Sequence, residues 1–596
     1  MAEDKELGLF DGKNEPTVEW GWKAYEDGVS YNTKINLQET VKTNENFYIG
    51  KQWEGVQANG LPTPQFNFLK RTVGHTIASI VSDDVKMTAT PMAAAPNDDA
   101  LLDPVRIVND EFDRLREQTK FSQLQKISVR DAAVRGDGAM YTWWDADAPA
   151  GDGVNGRIRT ETIKNTRVLF GNPNDARVQP QPYIMIEKRD MLRSARKRAA
   201  ENDIAEWADI VPDDGTNENA VDVQKRTEGK VTCVTLMWKD DEKGEVWACE
   251  YTQKCWIRKP YNTNLRLYPL TWLNWDYVDD CYHGQAMLTG LIPNQIFVNK
   301  VWAMSGLNMY RSAFGKYIYD KTRISHIDNR VGAAIPVTGN VDGAIKAIDP
   351  PAIHPQVFQY IQAAIDTTQE SLGATEAALG EGKAYNTSAI LSLQKASSTP
   401  HAVTQQNVYT QDEDQGQIWL EFMTVYYGKR TVDMPITDGM RAMFESANQL
   451  AQAAGQEAQE IPETVPVEFD FSSLRDHEMT ISIDAGPSSF YSEIASLETL
   501  DNLLLNGHIT AVQYLERIPN RNLAGRQKLI DELKEQARQQ EAMMQAQLQA
   551  QLQAQQAPQA LPPGTGEIAE NGNREEQRST GFRELGEAMR RVEGGV

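Results

Sequence analysis

Between about Leu523 and Gln556 the sequence reads as one long helix whose repeat, MMQAQLQAQLQAQQAPQ, is made almost entirely of Gln and Ala. Leu529, Leu533, Ala537, Met544, Leu548 and Leu552 draw only a narrow apolar stripe along it, too little for a core helix of a monomer. At 1.5 Å rise per residue the helix would be roughly 50 Å long. A stripe of that width suits packing against copies of the same helix. The first expectation is therefore a chain that folds as part of an assembly.

The 596 residues exceed one ordinary domain, so several structural regions are expected. A hydrophobic fraction of 40% with 24% charged residues excludes collagen-like, wholly disordered and small disulfide-scaffold classes. Lys and Arg number 60 against 84 Asp and Glu, a formal charge of −24, which argues against affinity built on broad neutralisation of nucleic-acid phosphates. Cys233, Cys249, Cys255 and Cys281 form no C-x-x-C pair and have no His at zinc-finger spacing, so reduced structural thiols and no metal are expected. The opening MAEDKELGLFDGKNEP has no apolar h-region and no window approaches eighteen apolar residues; neither a secretory leader nor a membrane span is expected.

Along the chain, residues 1–30 read as an acidic, turn-rich arm, with Trp20, Trp22 and Tyr25 as anchors onto a neighbour. Helices are predicted over Asn36–Tyr48, ending at Gly50, over FNFLKRTVGHTIASI, and as one block from about Asp103 to Arg135. AMYTWWDA, GRIRTETI and RVLFGN read as strands, and after a charged helix near Arg193–Trp207 the runs KVTCVTLMWKD, EVWACEYTQKCWIRK and YPLTWLNWDYV read as an antiparallel meander. A helix starting at Pro293, a short β-like insert and a returning helix from about Pro355 look like a stalk with a tip. A small-residue segment, GATEAALGEGKAYN, precedes a helical stretch from Thr387 to Tyr427 that Pro400 should kink or break. VPVEFDF and MTISIDAG are strand-like, a helix ends at Asn506-Gly507, and Thr510 with Gln513 forms a capping box. The whole is an α+β chain.

Few motifs carry chemistry. Gly151-x-Gly153-x-x-Gly156 matches a dinucleotide fingerprint, but a strand and not a helix follows it, so a hairpin loop is the better reading. GEGKA at 380–384 lacks the first P-loop glycine and the final Ser or Thr. Asp476-His477-Glu478 would alternate across a strand and not converge. The most enzyme-like feature is Trp238, Trp247, Trp256, Trp272 and Trp275 with Asp276, Asp279 and Asp280, which a carbohydrate-active hydrolase would use as platforms and carboxylates; a β-sheet core rich in aromatics is the plainer account. The basic run Arg193, Arg196, Lys197, Arg198 is either a solvated helix face or a contact for an acidic partner.

The order of elements, with NFYIGKQW at 46–53, PQFNFLKRTVGHTIASI at 64–80 and IPNQIFVNK at 292–300, resembles the portal (connector) proteins of tailed bacteriophages. That resemblance implies a portal fold: an arm at 1–30, a wing at 31–290 completed by strands at 431–486, stem helices at 291–315 and 355–372, and a clip at 316–354. It further implies a tunnel loop at 373–386, a long kinked helix at 387–430, a crown and helical barrel at 487–556, and a Pro/Gly/Glu-rich tail at 557–596. It implies a twelve-subunit ring at one capsid vertex of the virion, threaded by double-stranded DNA. The implied partners are the terminase large subunit, a head-tail adaptor, the major capsid protein and scaffold, and the implied protein needs no cofactor and has no enzymatic activity. In this sequence the tunnel loop would offer Gly380, Glu381, Gly382 and Lys383 to DNA, with Lys383 pairing Glu381 as the alternative. The clip would offer Lys316, Lys321, Arg323, Arg330 and Lys346, set against Asp320, Asp328 and Asp342, to DNA, terminase or adaptor. An acidic ring wall lets DNA slide where a basic one would hold it. The hydrolase, and a smaller ring-forming adaptor, stand as the other readings.

Overall fold

The computed structural model describes residues 15–81, 85–91, 99–151, 154–213, 229–313, 316–328, 330, 334–348, 355–372, 399–435, 443–444, 446–448, 464–476, 479–485, 499–506, 508–517, 529–530 and 533. The chain divides into two units, Met1–Ser496 and Leu497–Val596.

The first unit is built on two antiparallel sheets. Strands β2 (Asp137–Gly151), β3 (Val154–Ile163) and β9 (Leu270–Asn274) form one, in the order β3-β2-β9. β4 (Val168–Phe170), β5 (Tyr183–Met191), β6 (Lys230–Lys239), β7 (Val246–Tyr251) and β8 (Trp256–Asn262) form the other in sequence order. The Gly151–Gly156 region lies in the β2–β3 hairpin, with Gly151 opposite Val154, as the hairpin reading required. The meander expectation holds for β6, β7 and β8 but not for the third run. β9 instead pairs with β2, from Asp137↔Asn274 to Tyr141↔Leu270. The cause is a polar anchor: the buried Asp137 carboxyl accepts hydrogen bonds from Asn274 Nδ2 (2.9 Å) and Gly284 N (2.6 Å), which hold the 274–284 segment against the start of β2.

Helix α1 (Val18–Lys34) corrects the turn-rich reading of the N-terminal arm. Thr17 caps it, Trp20 N donating to Thr17 Oγ1 at 3.2 Å. Gly21 lets it approach the five-stranded sheet, where Tyr251 Oη donates to Gly21 O at 2.8 Å. Trp20, Trp22 and Tyr25 therefore pack within their own chain, with Trp238, Trp247 and Trp256. α2 (Leu37–Ile49) and α3 (Phe68–Ile80) follow as predicted, α2 closing at the left-handed Gly50. The single block expected at 103–135 is two helices, α4 (Asp99–Thr119) and α5 (Phe121–Arg135), broken at Lys120 with φ +53°. The break sends Phe121 into the main core beside Phe112, Met140 and Trp419, while Ile127, expected on the same stripe, is exposed.

After α6 (Leu192–Glu201) and the meander comes α7 (Met287–Ala313). It begins two turns before Pro293, because Met287, Leu288, Leu291 and Ile292 are buried in the α2–α3–α5 cluster and carry the helix through the proline. β10 (Lys316–Tyr319) and β11 (Ile345–Ile348) form a two-stranded ribbon, and α8 (Gln356–Ser371) returns. Pro400 lies in a 3₁₀ turn, Thr399–His401, from which α9 (Ala402–Phe422) starts, running into a π turn at Met423–Tyr427. β12 (Lys429–Pro435) pairs with β13 (Thr464–Asp470), and β14 (Met479–Ala485) pairs with β1 (Val85–Pro91). In the second unit the helix Ala511–Arg517 opens on the expected capping box: Gln513 N donates to Thr510 Oγ1 (3.3 Å) and Thr510 N to Gln513 Oε1 (3.1 Å). Of the predicted 523–556 helix only 529, 530 and 533 lie within the described residues.

The turn from α5 into β2 rests on Gly136, at φ +103°, where an added Cβ would sit 2.4 Å from Gly284 O. Gly136→Ala is expected to cost about 3 kcal/mol, read as a marked fall in the apparent melting temperature by circular dichroism.

Candidate functional site

The described part of the predicted stem and clip is a pair of helices bracketing a ribbon. α7 is seated at its base by polar ties: Gln295 Nε2 donates to Phe66 O (2.7 Å), and Asn299 Nδ2 to Gln52 Oε1 (2.7 Å). Asn294 Nδ2 donates to Thr368 Oγ1 of α8 at 3.0 Å, and Trp302 packs edge-on to Phe358 of α8 and against Phe66. The helices also present apolar side chains that no described residue covers: Met304 is 61% and Met309 64% exposed, with Phe297, Tyr310 and Tyr360 also exposed. Isolated exposed apolars are ordinary, but a run of them on adjacent helices marks a surface that is covered in the working state.

The ribbon also exposes apolar side chains. Its register puts Lys316, Ile318, Lys346 and Ile348 on one face and Tyr317 and Tyr319 on the other. Ile318, Ile348, Tyr317 and Tyr319 are all exposed. The predicted clip cations divide into two kinds. Arg330 is engaged by Asp328, whose carboxyl takes Nε at 2.9 and 3.1 Å, and Arg323 Nε lies 3.4 Å from Asp320 Oδ2. The bond from Arg330 holds the Asp328 carboxyl below the usual range, and Thr322, hydrogen-bonding from its side chain and backbone, does the same for Asp320. Lys316, Lys321 and Lys346 are exposed and have no carboxylate partner among the described residues. Counting Asp349, the formal excess of cations over acids in 316–354 is one.

Gly380, Glu381, Gly382 and Lys383 lie outside the described residues. The two ends of the 373–398 segment do not. His401 Nε2 donates to Leu372 O at 2.7 Å, joining the end of α8 to the start of α9. Burial pushes the His401 pKa down, keeping the ring neutral, and the carbonyl partner places its proton on Nε2. This clamp was not legible in the sequence, where His401 follows Pro400 without a motif.

Behind the clamp α9 is seated by buried polar groups. Ser128 Oγ donates to Gln411 Oε1 (3.1 Å), Gln125 Nε2 to Asp412 Oδ2 (2.5 Å), and Gln415 Nε2 to Thr142 Oγ1 (2.9 Å). Trp419 Nε1 donates to Thr160 Oγ1 at 3.1 Å, so the helix touches α5, β2 and β3 in successive turns.

The structure does not bring the hydrolase residues together. Trp238, Trp247 and Trp256 belong to the cluster under α1, Trp275 to the α3–α5–α7 cluster, and Trp272 packs with Phe170 and Tyr282. Asp276, Asp279 and Asp280 are exposed. A surface groove of about 620 Å³ is lined by Trp272 and Tyr277 with Asp175 and Asp414, and by none of the other residues of that reading. Asp175 there is bound along both oxygens by Arg177 at 2.8–3.2 Å. His477 and Glu478 lie outside the described residues. In the basic run, Arg196 donates to Ile210 O (2.8 Å), and Arg198 bridges Asp190 and Glu250 at 2.7 Å each. That guanidinium occupies the centre of the Asp190–Cys233–Glu250 cluster, whose ligand atoms lie within 4.8 Å of one another. The four cysteines are unpaired, and burial raises the thiols of Cys233 and Cys249 far above the usual range, which suits inert core groups.

The clamp makes a direct prediction. His401→Ala should lower the apparent melting temperature by a few degrees, the effect of losing one buried hydrogen bond, whereas His401→Gln, which keeps a donor, should stay near the wild-type value.

No helix among the described residues is long and apolar enough to cross a membrane. No curated protein matches the chain. The family described as phage P22-like portal protein does match it, over residues 185–571, from β5 through the meander, the stem pair and ribbon, α9 and into the Gln-rich stretch. About two thirds of the chain falls within that match, and the chain belongs to the P22-like family of phage portal proteins.

Proposed function

We propose that twelve copies of this chain close into a ring at one capsid vertex, with DNA entering and leaving through the axial channel. In this reading α7 and α8 are the stem, residues 316–354 the clip, 373–386 the tunnel loop, 387–430 the helix behind it, and 487–556 the crown and barrel. The ring docks the terminase large subunit during packaging and the head-tail adaptor afterwards, is surrounded by the major capsid protein and scaffold, and performs no bond chemistry. The observation that carries the reading, beside the family, is the exposure of Phe297, Met304, Met309 and Tyr310 on α7 together with that of Tyr317 and Ile318 on the ribbon. A closed ring covers such a surface on every copy at once, which a monomer does not. The net charge of −24 on each copy supports a channel wall that repels phosphates.

Two experiments test this. Met304→Glu with Met309→Glu should leave a folded chain by circular dichroism and abolish the ring by light scattering, since each buries a charge in a neighbour contact; rings of unchanged mass would contradict the stem assignment. Lys316→Glu, Lys321→Glu and Lys346→Glu together should preserve the ring but lower DNA packaging about tenfold or more. Arg323→Glu, already balanced by Asp320 within its own turn, should do less. Packaging and tail joining untouched by the lysine reversals would exclude the clip from those contacts.

A further inference from the structure

Long helices usually seat themselves through an apolar stripe; α9 adds to its buried Val408, Ile418, Trp419 and Phe422 three polar groups, Gln411, Asp412 and Gln415, each at most 1% exposed. Polar groups so deep are ordinarily all hydrogen-bonded. Gln411 meets that requirement through Ser128, Gly138 and Thr271. Asp412 and Gln415 do not: Asp412 Oδ1 and Gln415 Oε1 are fully buried acceptors with no donor among the described residues. The two residues are three apart on one helix, where side chains are neighbours.

An ionised Asp412 has only acceptors to offer, so it would leave its own Oδ1 and Gln415 Oε1 unanswered and place a charge in the interior. The groups around it do little to hold that charge. Gln125 of α5 contributes one N–H to Oδ2, Arg116 of α4 favours the charged form, and Glu413, the next residue of α9, opposes it. At the neighbouring turns β2 and β9 bring only the hydroxyls of Thr142 and Thr271. A neutral carboxyl resolves both vacancies with one proton: its O–H, on Oδ1, is the donor that Gln415 Oε1 lacks. The amide of Gln415 is then fixed to donate its N–H to Thr142 Oγ1, and Thr142 to pair with Thr160 at 3.1 Å.

We infer that Asp412 is a neutral acid that donates its proton to Gln415 Oε1, a proton-keyed latch holding α9 on α5 and β2. Burial, the largest influence on this carboxyl, moves it from the usual range up to about 8, in agreement with the geometry. The unfolded chain releases the same proton near pH 4. Between those values the folded chain binds more protons than the unfolded one, so stability falls as pH rises through the window and the loss is complete above pH ~8. Above it the latch is an uncompensated buried charge beneath the helix whose first turn His401 ties to α8.

Asp412→Asn in the full-length protein tests this directly. The amide supplies an N–H where the acid supplies its O–H and keeps the acceptor used by Gln125. The variant should match the wild type near pH 4 and melt several degrees higher at about pH 9, with the difference growing between those values. Infrared spectra at about pH 7 should show a protonated-carboxyl C=O band in the wild type that is missing in Asp412→Asn and lost on titration through about pH 8. Gln415→Leu, which removes the acceptor, should move that loss to lower pH. Parallel melting profiles for wild type and Asp412→Asn would overturn the latch. Should Asp412→Asn fail to fold, a wild-type spectrum with no carboxyl band titrating near pH 8 would do the same.

Discussion

The Asp137 carboxyl group holds the architecture of the first unit together. It is 1% exposed and accepts hydrogen bonds from four directions: Asn274 Nδ2, Gly284 N, Asn165 Nδ2 at 3.0 Å, and His283 at 2.7 Å through Nδ1. Those bonds lock β9 to β2, fix the 3₁₀ turn before β4, and set the point from which the chain enters α7 three residues beyond Gly284. His283 Nε2 extends the anchor to Asn32 Oδ1 of α1 at 3.1 Å. Removing a partner from such a hub strands several buried polar groups at once. The direction in which the chain enters α7 therefore depends on a polar interaction at the root of the sheet.

Two helices that matter for a portal, α7 and α9, follow the same plan. Each sets buried amides among its buried apolar residues: Gln295 and Asn299 in α7, Gln411 and Gln415 in α9. Directional bonds fix one register, since a helix shifted by a turn would lose every partner together. An apolar seat tolerates sliding more readily, because dispersion contacts can be exchanged. The buried seat of α7 and its exposed apolar side chains are thereby carried by different residues of one helix.

Much of this was legible in the sequence where the signal is local. The left-handed Gly50 closes α2, the Thr510–Gln513 box opens its helix, and the β-branched and apolar run KVTCVTLMWKD marks β6. The helix-ribbon-helix order of α7, β10–β11 and α8 was also legible, because Phe297, Met304 and Phe358 keep helical spacing whatever covers them. Non-local decisions were not legible. Gly21 is a contact point, where an added Cβ would lie 2.8 Å from the Tyr251 ring, and the turn-rich reading of residues 1–30 missed the helix that makes this contact. β9 resembles the next strand of the meander, and only the Asp137 anchor sends it elsewhere. The clip lysines and arginines read alike as charges, although short turns tie the arginines to Asp320 and Asp328. His401 and Asp412 gave no signal at all, because hydrophobic periodicity is silent about a helix seated on polar groups.

The central claim is that the uncovered face of α7, α8 and the ribbon is the contact between copies in a portal ring. Electron microscopy of the purified full-length chain, with the mass of the same fraction by light scattering, tests it most directly. The account predicts end-on rings with a central hole and a mass near twelve times 66.8 kDa, roughly 800 kDa. A monodisperse species that stays at 66.8 kDa at high concentration, with no rings in any field, would contradict it.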